Sequence, residues 1–221
     1  MALNENKIFG DSFVLLFKDR LILVLALLLT AIDAIFQFVT DSFNISNSFY
    51  TGIYAMLLLV ILALFSVFVY GIVFFRLGGG KNLKLSDLAK MSASRYLSIL
   101  ATYVLTGLIV GLGTMFFVIP GIYLFVRLFI APVSAARDKK NPLDALSKSW
   151  SMTKGQGWPI FIITLLVGII LLIIDVGASI AGISFISTFF GFAMVIASVL
   201  IYNGLSRKKI ASVKRTRHAS R

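Results

Sequence analysis

No cysteine occurs in the 221 residues, so disulfides, thiolate nucleophiles and cysteine metal sites are excluded. Histidine occurs once, as His218 in the C-terminal run SRKKIASVKRTRHASR. An HExxH zinc site or a cluster of imidazole ligands therefore cannot be assembled, and a His-based triad is not expected with the one histidine in the basic tail. Charged residues make up only 14% of the chain, too few to cover a soluble domain of this length. Nine Asp and Glu stand against 21 Lys and Arg, so convergent carboxylates for acid–base work have few sources. The nearest approach to a phosphate loop is Gly78-Gly79-Gly80-Lys81. It fails the pattern, because Phe75 stands where the first glycine belongs and Asn82 where Ser or Thr belongs. It reads instead as a flexible exit from a helix.

What fills the chain is apolar: 59% of residues, with a mean hydropathy of +0.97. Several runs approach the roughly 20 residues that cross a bilayer core of about 30 Å. Six spans are expected, at 21–39, 51–75, 96–119, 122–136, 159–176 and 183–202. Lys18 and Arg20 precede the first run, but it is longer than a signal-peptide core and carries Asp33 without a clear cleavage site after it. It is expected to be retained. Pro120-Gly121 supplies the corner between spans three and four. Gly107-x-x-x-Gly111 in span three permits close helix packing, a weak signal in a glycine-rich chain.

Three amphipathic segments interleave with the spans. Phe9, Phe13, Leu16 and Phe17 recur at helical spacing in residues 4–19, as do Leu85, Leu88, Ala89 and Ser92 in 76–95. In 137–158, Asn141 suits an N-cap, Pro142 the first helical position, and Leu143, Leu146 and Trp150 a stripe. Gly155 and Gly157 end that segment, and Trp158 suits an interfacial anchor. An amphipathic segment followed by a hairpin thus recurs at 4–75, 83–136 and 141–204. The fold expected is all-α: a polytopic membrane domain over 1–205, its six transmembrane helices in three hairpins with short interfacial helices on the cytoplasmic side, and a basic tail over 206–221.

Every Lys and Arg except Arg127 falls on one side of this six-helix arrangement, while Asp41 and Asp175 lie at the other. The positive-inside rule then places both termini in the cytoplasm of a cell-membrane protein. The tail is expected to fix topology and to meet anionic lipid headgroups. Nucleic acid is not expected, since no aromatic stacking platform accompanies the charge.

Asp33 and Arg127 are the informative polar residues inside spans. Each lies six residues, about 9 Å, from the outer end of its helix, so a buried ion pair between them is one expectation. An anion contact or a snorkelling arginine is the other.

The stretch Ile119-Pro120-Gly121-Ile122-Tyr123, Arg127, Ala131-Pro132, Ala145-Leu146, Ser149-Trp150, Met152-Thr153, Gly155 and Trp158 carries a resemblance. It resembles the membrane domain fused to some glycerophosphodiester phosphodiesterases, and YciC-type inner-membrane proteins. The resemblance covers about a fifth of the chain. It implies a bacterial or archaeal cytoplasmic-membrane protein without established catalytic residues or cofactors. Nothing here corresponds to the phosphodiesterase domain, so that activity is not implied. The expected function is non-enzymatic: handling or sensing lipid, or assisting a membrane complex. The alternative is a small transporter or permease subunit with Arg127 near an anionic substrate, and an enzyme of lipid headgroups ranks third.

Overall fold

The computed structural model describes residues 4–42, 49–79, 82–138, 140–183 and 185–219, with the backbone alone at 40–42, 49–52, 54, 55 and 208–219. The turn near Asn47, Gly80-Lys81, Lys139 and the side chains of Asp41, His218 and most of the basic tail lie outside that description. Among the described residues there are nine helices and no strand: α1 Glu5–Lys18, α2 Arg20–Ser42, α3 Phe49–Leu77, α4 Leu85–Phe116, α5 Val118–Leu128, α6 Ala131–Arg137, α7 Pro142–Thr153, α8 Gly157–Ile180 and α9 Ile186–Ala219. Six stretches are long and apolar enough to cross a membrane: α2, α3, α4, α5 with α6, α8, and the first part of α9. The protein is a polytopic all-α membrane protein.

Asp19 is the first joint. It is extended at φ −89 and ψ 105, its N–H closes α1 on the Leu15 carbonyl, and its Oδ1 accepts the Leu21 N–H of α2 at 3.1 Å. The same carboxylate pairs with Arg76 Nε at 3.0 Å, tying the joint to the end of α3. The first amphipathic segment is therefore a separate helix. It packs along α8 and α9 through Ile8, Ser12 and Leu16, while Phe17 is largely exposed. The second segment behaves differently. It runs into the third span as one helix, α4, because neither proline nor glycine interrupts residues 85–106. The basic tail likewise continues α9 without a break as far as Ala219.

The corner between α4 and α5 falls at Phe117, at φ −157 and ψ 142, and not at Pro120-Gly121. Pro120 instead occupies the first turn of α5, where no intrahelical donor is required of it. Gly121 serves packing: a Cβ there would lie 2.0 Å from Thr114 Oγ1 and 2.7 Å from Thr114 Cα. The fourth span is itself broken at Phe129-Ile130, just before Pro132, into α5 and α6. Two buried clusters share α3 and α9. One joins Leu16, Ile22, Leu29, Val73, Phe192 and Ile196; the other joins Phe74, Ile99, Val133, Ile160, Ile163 and Tyr202. Lipid is as apolar as these side chains, so close packing and polar contacts hold the helices together. Gly71 shows the first device, since a Cβ there would meet Ser92 Oγ at 2.2 Å. Ser92 shows the second, donating to the Phe68 carbonyl of α3 at 2.7 Å.

Candidate functional site

The structure does not bring Asp33 and Arg127 together. Asp33 Oδ2 accepts the Thr188 hydroxyl at 2.6 Å, a contact between α2 and the first turn of α9. Arg127 belongs to α5 and reaches α7 instead. Its Nε donates to the Tyr123 hydroxyl at 3.0 Å, and its Nη1 lies 3.5 Å from Thr153 Oγ1. The guanidinium carbon stands 5.3 Å from the Tyr123 ring centre and 5.0 Å from that of Trp150, with the two rings edge to face. Matching depth is the ground for expecting this pair, but helix adjacency gives each charge other partners. Thr188 lies 155 positions from Asp33, and no spacing rule could have linked them.

α7 is positioned by the break in the fourth span. The carbonyl of Arg127, at the last turn before the break, receives Ser149 Oγ at 2.8 Å and Thr153 Oγ1 at 3.3 Å. The Ser149 hydroxyl of α7 thus serves a carbonyl at the end of α5, while Thr153 Oγ1, nearest the Ser149 carbonyl at 2.9 Å, stands beside it. The inward face of α7 is Ala145, Leu146, Ser149, Met152 and Thr153. Of the expected stripe only Leu146 is buried; Leu143 is 71% exposed, and Trp150 lies at the margin over Arg127. Trp158 is also exposed and leans on Phe161. Asn141 takes the N-cap place before Pro142 without a side-chain capping bond, and Gly155 ends the segment at φ +74, where other residues are strained.

A polar network unforeseen in the sequence joins α3, α6, α7 and α9 at their basic ends. Asp138 accepts Tyr202 Oη at 2.7 Å on both oxygens, Ser134 Oγ at 2.8 Å and Lys148 Nζ at 2.5 Å. Beside it, Arg137 donates to Asn203 Oδ1 and, at 2.9 Å, to the Gly78 carbonyl, with its guanidinium 5.0 Å from the Tyr202 ring. Burial pushes the Asp138 carboxyl up, but the hydrogen bonds from Lys148, Tyr202 and Ser134 outweigh it and hold the carboxyl below its ordinary value. Burial likewise lowers the Lys148 ammonium, and its bonds to Asp138 and Tyr202 outweigh that and hold it above the ordinary lysine value. In sequence Arg137 reads as a topology charge, Lys148 as that and as an i, i+4 partner of Asp144, and Asp138 draws no reading; their spacing carries no hint of Tyr202.

Between α4 and α9 lies a cavity of about 490 Å³, floored by Tyr70 of α3 and by Phe125, Phe129 and Pro132. Gly107 and Gly111 line it. Both are exposed, and a Cβ on either would meet nothing within 4 Å. The Gly-x-x-x-Gly pair therefore opens the cavity to the surface of the bundle and does not seat a helix of this chain. Thr106 adds a buried hydroxyl oxygen with no hydrogen-bond partner among the described residues. Among the described residues no cluster of His, Asp or Glu could hold a metal ion. No family model, no curated protein and no solved structure matches the chain.

Proposed function

We propose that the chain is a non-enzymatic multi-pass protein of the cell membrane that handles or senses lipid, holding an acyl chain in the cavity between α4 and α9. The observation that carries the reading is the cavity itself. Its size falls in the range of ligand pockets, its wall is mostly apolar, and glycines of a candidate membrane span open it to the surface of the bundle. An anionic solute would find no cation among the described residues that line it. Arg127 is committed to Tyr123, Trp150 and Thr153, which favours lipid over the transporter alternative. The charge distribution supports cytoplasmic termini, and with them a basic segment of α9 able to meet anionic headgroups. The resemblance to YciC-type proteins is in keeping with this placement.

Filling the cavity tests the proposal. Gly107→Leu and Gly111→Leu add bulk where no protein atom stands, so each variant should fold. Native mass spectrometry of protein released gently from membranes should show bound lipid on the wild type and markedly less on both variants. Equal lipid occupancy in all three would defeat the acyl-chain reading. Loss of a dimer without loss of lipid would assign the glycines to a second copy of the chain instead.

A further inference from the structure

At the basic end of the bundle the polar boundaries of three elements meet. α3 reaches its only Lys or Arg at Arg76, α4 carries no charged residue beyond Arg95, and α6 ends at Arg137. Between them is a cleft of about 540 Å³ lined by Arg95, Arg137 and Ser94 on its polar side and by Phe75, Leu83 and Met91 on its apolar side. Arg95 has no hydrogen bond or ion pair among the described residues. Arg137 is braced from behind by Asn203, Tyr202 and the Gly78 carbonyl, which engage two of its five N–H groups. A Cβ on Gly78 would stand 2.6 Å from Arg137 Nε, so glycine is what lets the guanidinium lie against the chain here. Among the described residues no carboxylate lines the cleft. Two guanidiniums thus share one concave surface without a counter-charge in its wall.

We infer that this cleft binds the phosphate of a membrane lipid headgroup, with Arg95 and Arg137 as the anion contacts. Guanidinium forks match phosphate oxygens and hold them by charge-assisted hydrogen bonds. The cleft sits where each helix passes from apolar to charged sequence, the depth at which lipid phosphates lie. Phe75, Leu83 and Met91 offer carbon surface to the glycerol and first methylenes, which a free phosphate would leave unused. Buried Phe74, Ile99 and Val133 lie between this cleft and the apolar cavity along α3, α4 and α6, so the two sites are separate. The inference does not depend on an acyl chain occupying the cavity.

Calorimetric titration of the full chain in phosphate-free maltoside detergent with a short-chain phosphatidic acid tests it. Arg95→Gln removes an unpartnered cation and should leave the thermal unfolding temperature unchanged, while weakening binding roughly tenfold to a hundredfold. Lys90→Gln, the same charge change at an exposed position of α4, should bind like the wild type. Inorganic phosphate should compete at least tenfold more weakly than the lipid, about 1.4 kcal/mol of carbon contact. A diacylglycerol of equal chain length reports on the cavity separately, responding to Gly107→Leu and not to Arg95→Gln. Unchanged binding by Arg95→Gln, or an equal loss in Lys90→Gln, would overturn the site. Equal competition by inorganic phosphate would overturn the lipid as its source.

Discussion

The Tyr202 hydroxyl stands 2.7 Å from both carboxylate oxygens of Asp138, and Lys148 Nζ closes the other side of that carboxylate at 2.5 Å. One residue from each of α7 and α9 therefore grips the end of α6. The pH dependence follows from the two shifts. Asp138 is held low, so its stabilisation is present above the ordinary carboxylate pKa and is lost as pH falls through the lowered folded value. Lys148 is held high, so its stabilisation is present below the ordinary lysine pKa and is lost as pH rises through the raised folded value. Thermal unfolding in detergent should therefore show a plateau between acid and alkaline limbs. Lys148→Met should lower the plateau by about 1–2 kcal/mol, the cost of a partly buried carboxylate losing one charged donor, and should weaken both limbs. Limbs identical to those of the wild type would mean that the pair contributes nothing.

Glycines of one sequence type divide by what faces them. Gly121 is filled against Thr114, whereas Gly107 faces open space. Gly121→Ala should destabilise by about 1–3 kcal/mol through forced separation of α4 and α5, while Gly107→Ala stays within about 0.5 kcal/mol of the wild type. Denaturation of the two variants side by side settles the assignment. Comparable losses would mean that Gly107 is packed after all.

Much of this architecture could be read from hydropathy. Six spans follow from apolar runs, because a helix in lipid must be apolar along most of its length. The start of α7 at Pro142 was legible because proline suits a first helical position, although Asn141 before it makes no side-chain capping bond. The continuity of α4 was not, since a change from amphipathic to apolar sequence carries no stop signal. Nor was the corner at Phe117, because proline is tolerated in a first turn and so marks the neighbourhood of a break without fixing it. The site residues divide the same way. Arg127 stood out as a charge inside a span, but Thr188, Tyr202 and Asn203 are ordinary residues until α9 is laid beside α2, α3 and α6.

Orientation is checked by reporter fusions. Tags after Lys84 and Asn141 should report the cytoplasm, and tags after Gly121 and Gly182 the opposite side. The first pair lies beside the basic helix ends, the second beside uncharged turns. A cytoplasmic signal after Gly121 would contradict the α4–α5 hairpin together with the topology.

Asp33 and Arg127 give the sharpest test of partner choice. Asp33 is bonded to Thr188 at 2.6 Å, while Arg127 is engaged by Tyr123, Trp150 and Thr153 on α5 and α7. Sites without shared partners should lose stability additively, within about 0.5 kcal/mol. The Asp33→Ala and Arg127→Ala double variant should therefore show the sum of its singles. Asp33→Ala with Thr188→Val should fall short of its sum by about 0.6–1.7 kcal/mol, the range for interhelical hydrogen bonds in membranes. Both cycles use thermal unfolding in one detergent. Partial recovery of Arg127→Ala by Asp33→Ala would be the signature of a buried ion pair, since the second change removes the stranded charge. That outcome would place α2 beside α5 and refute the helix arrangement described above. Additivity there, with coupling to Thr188, leaves Arg127 as the residue that fastens α7 to the broken fourth span.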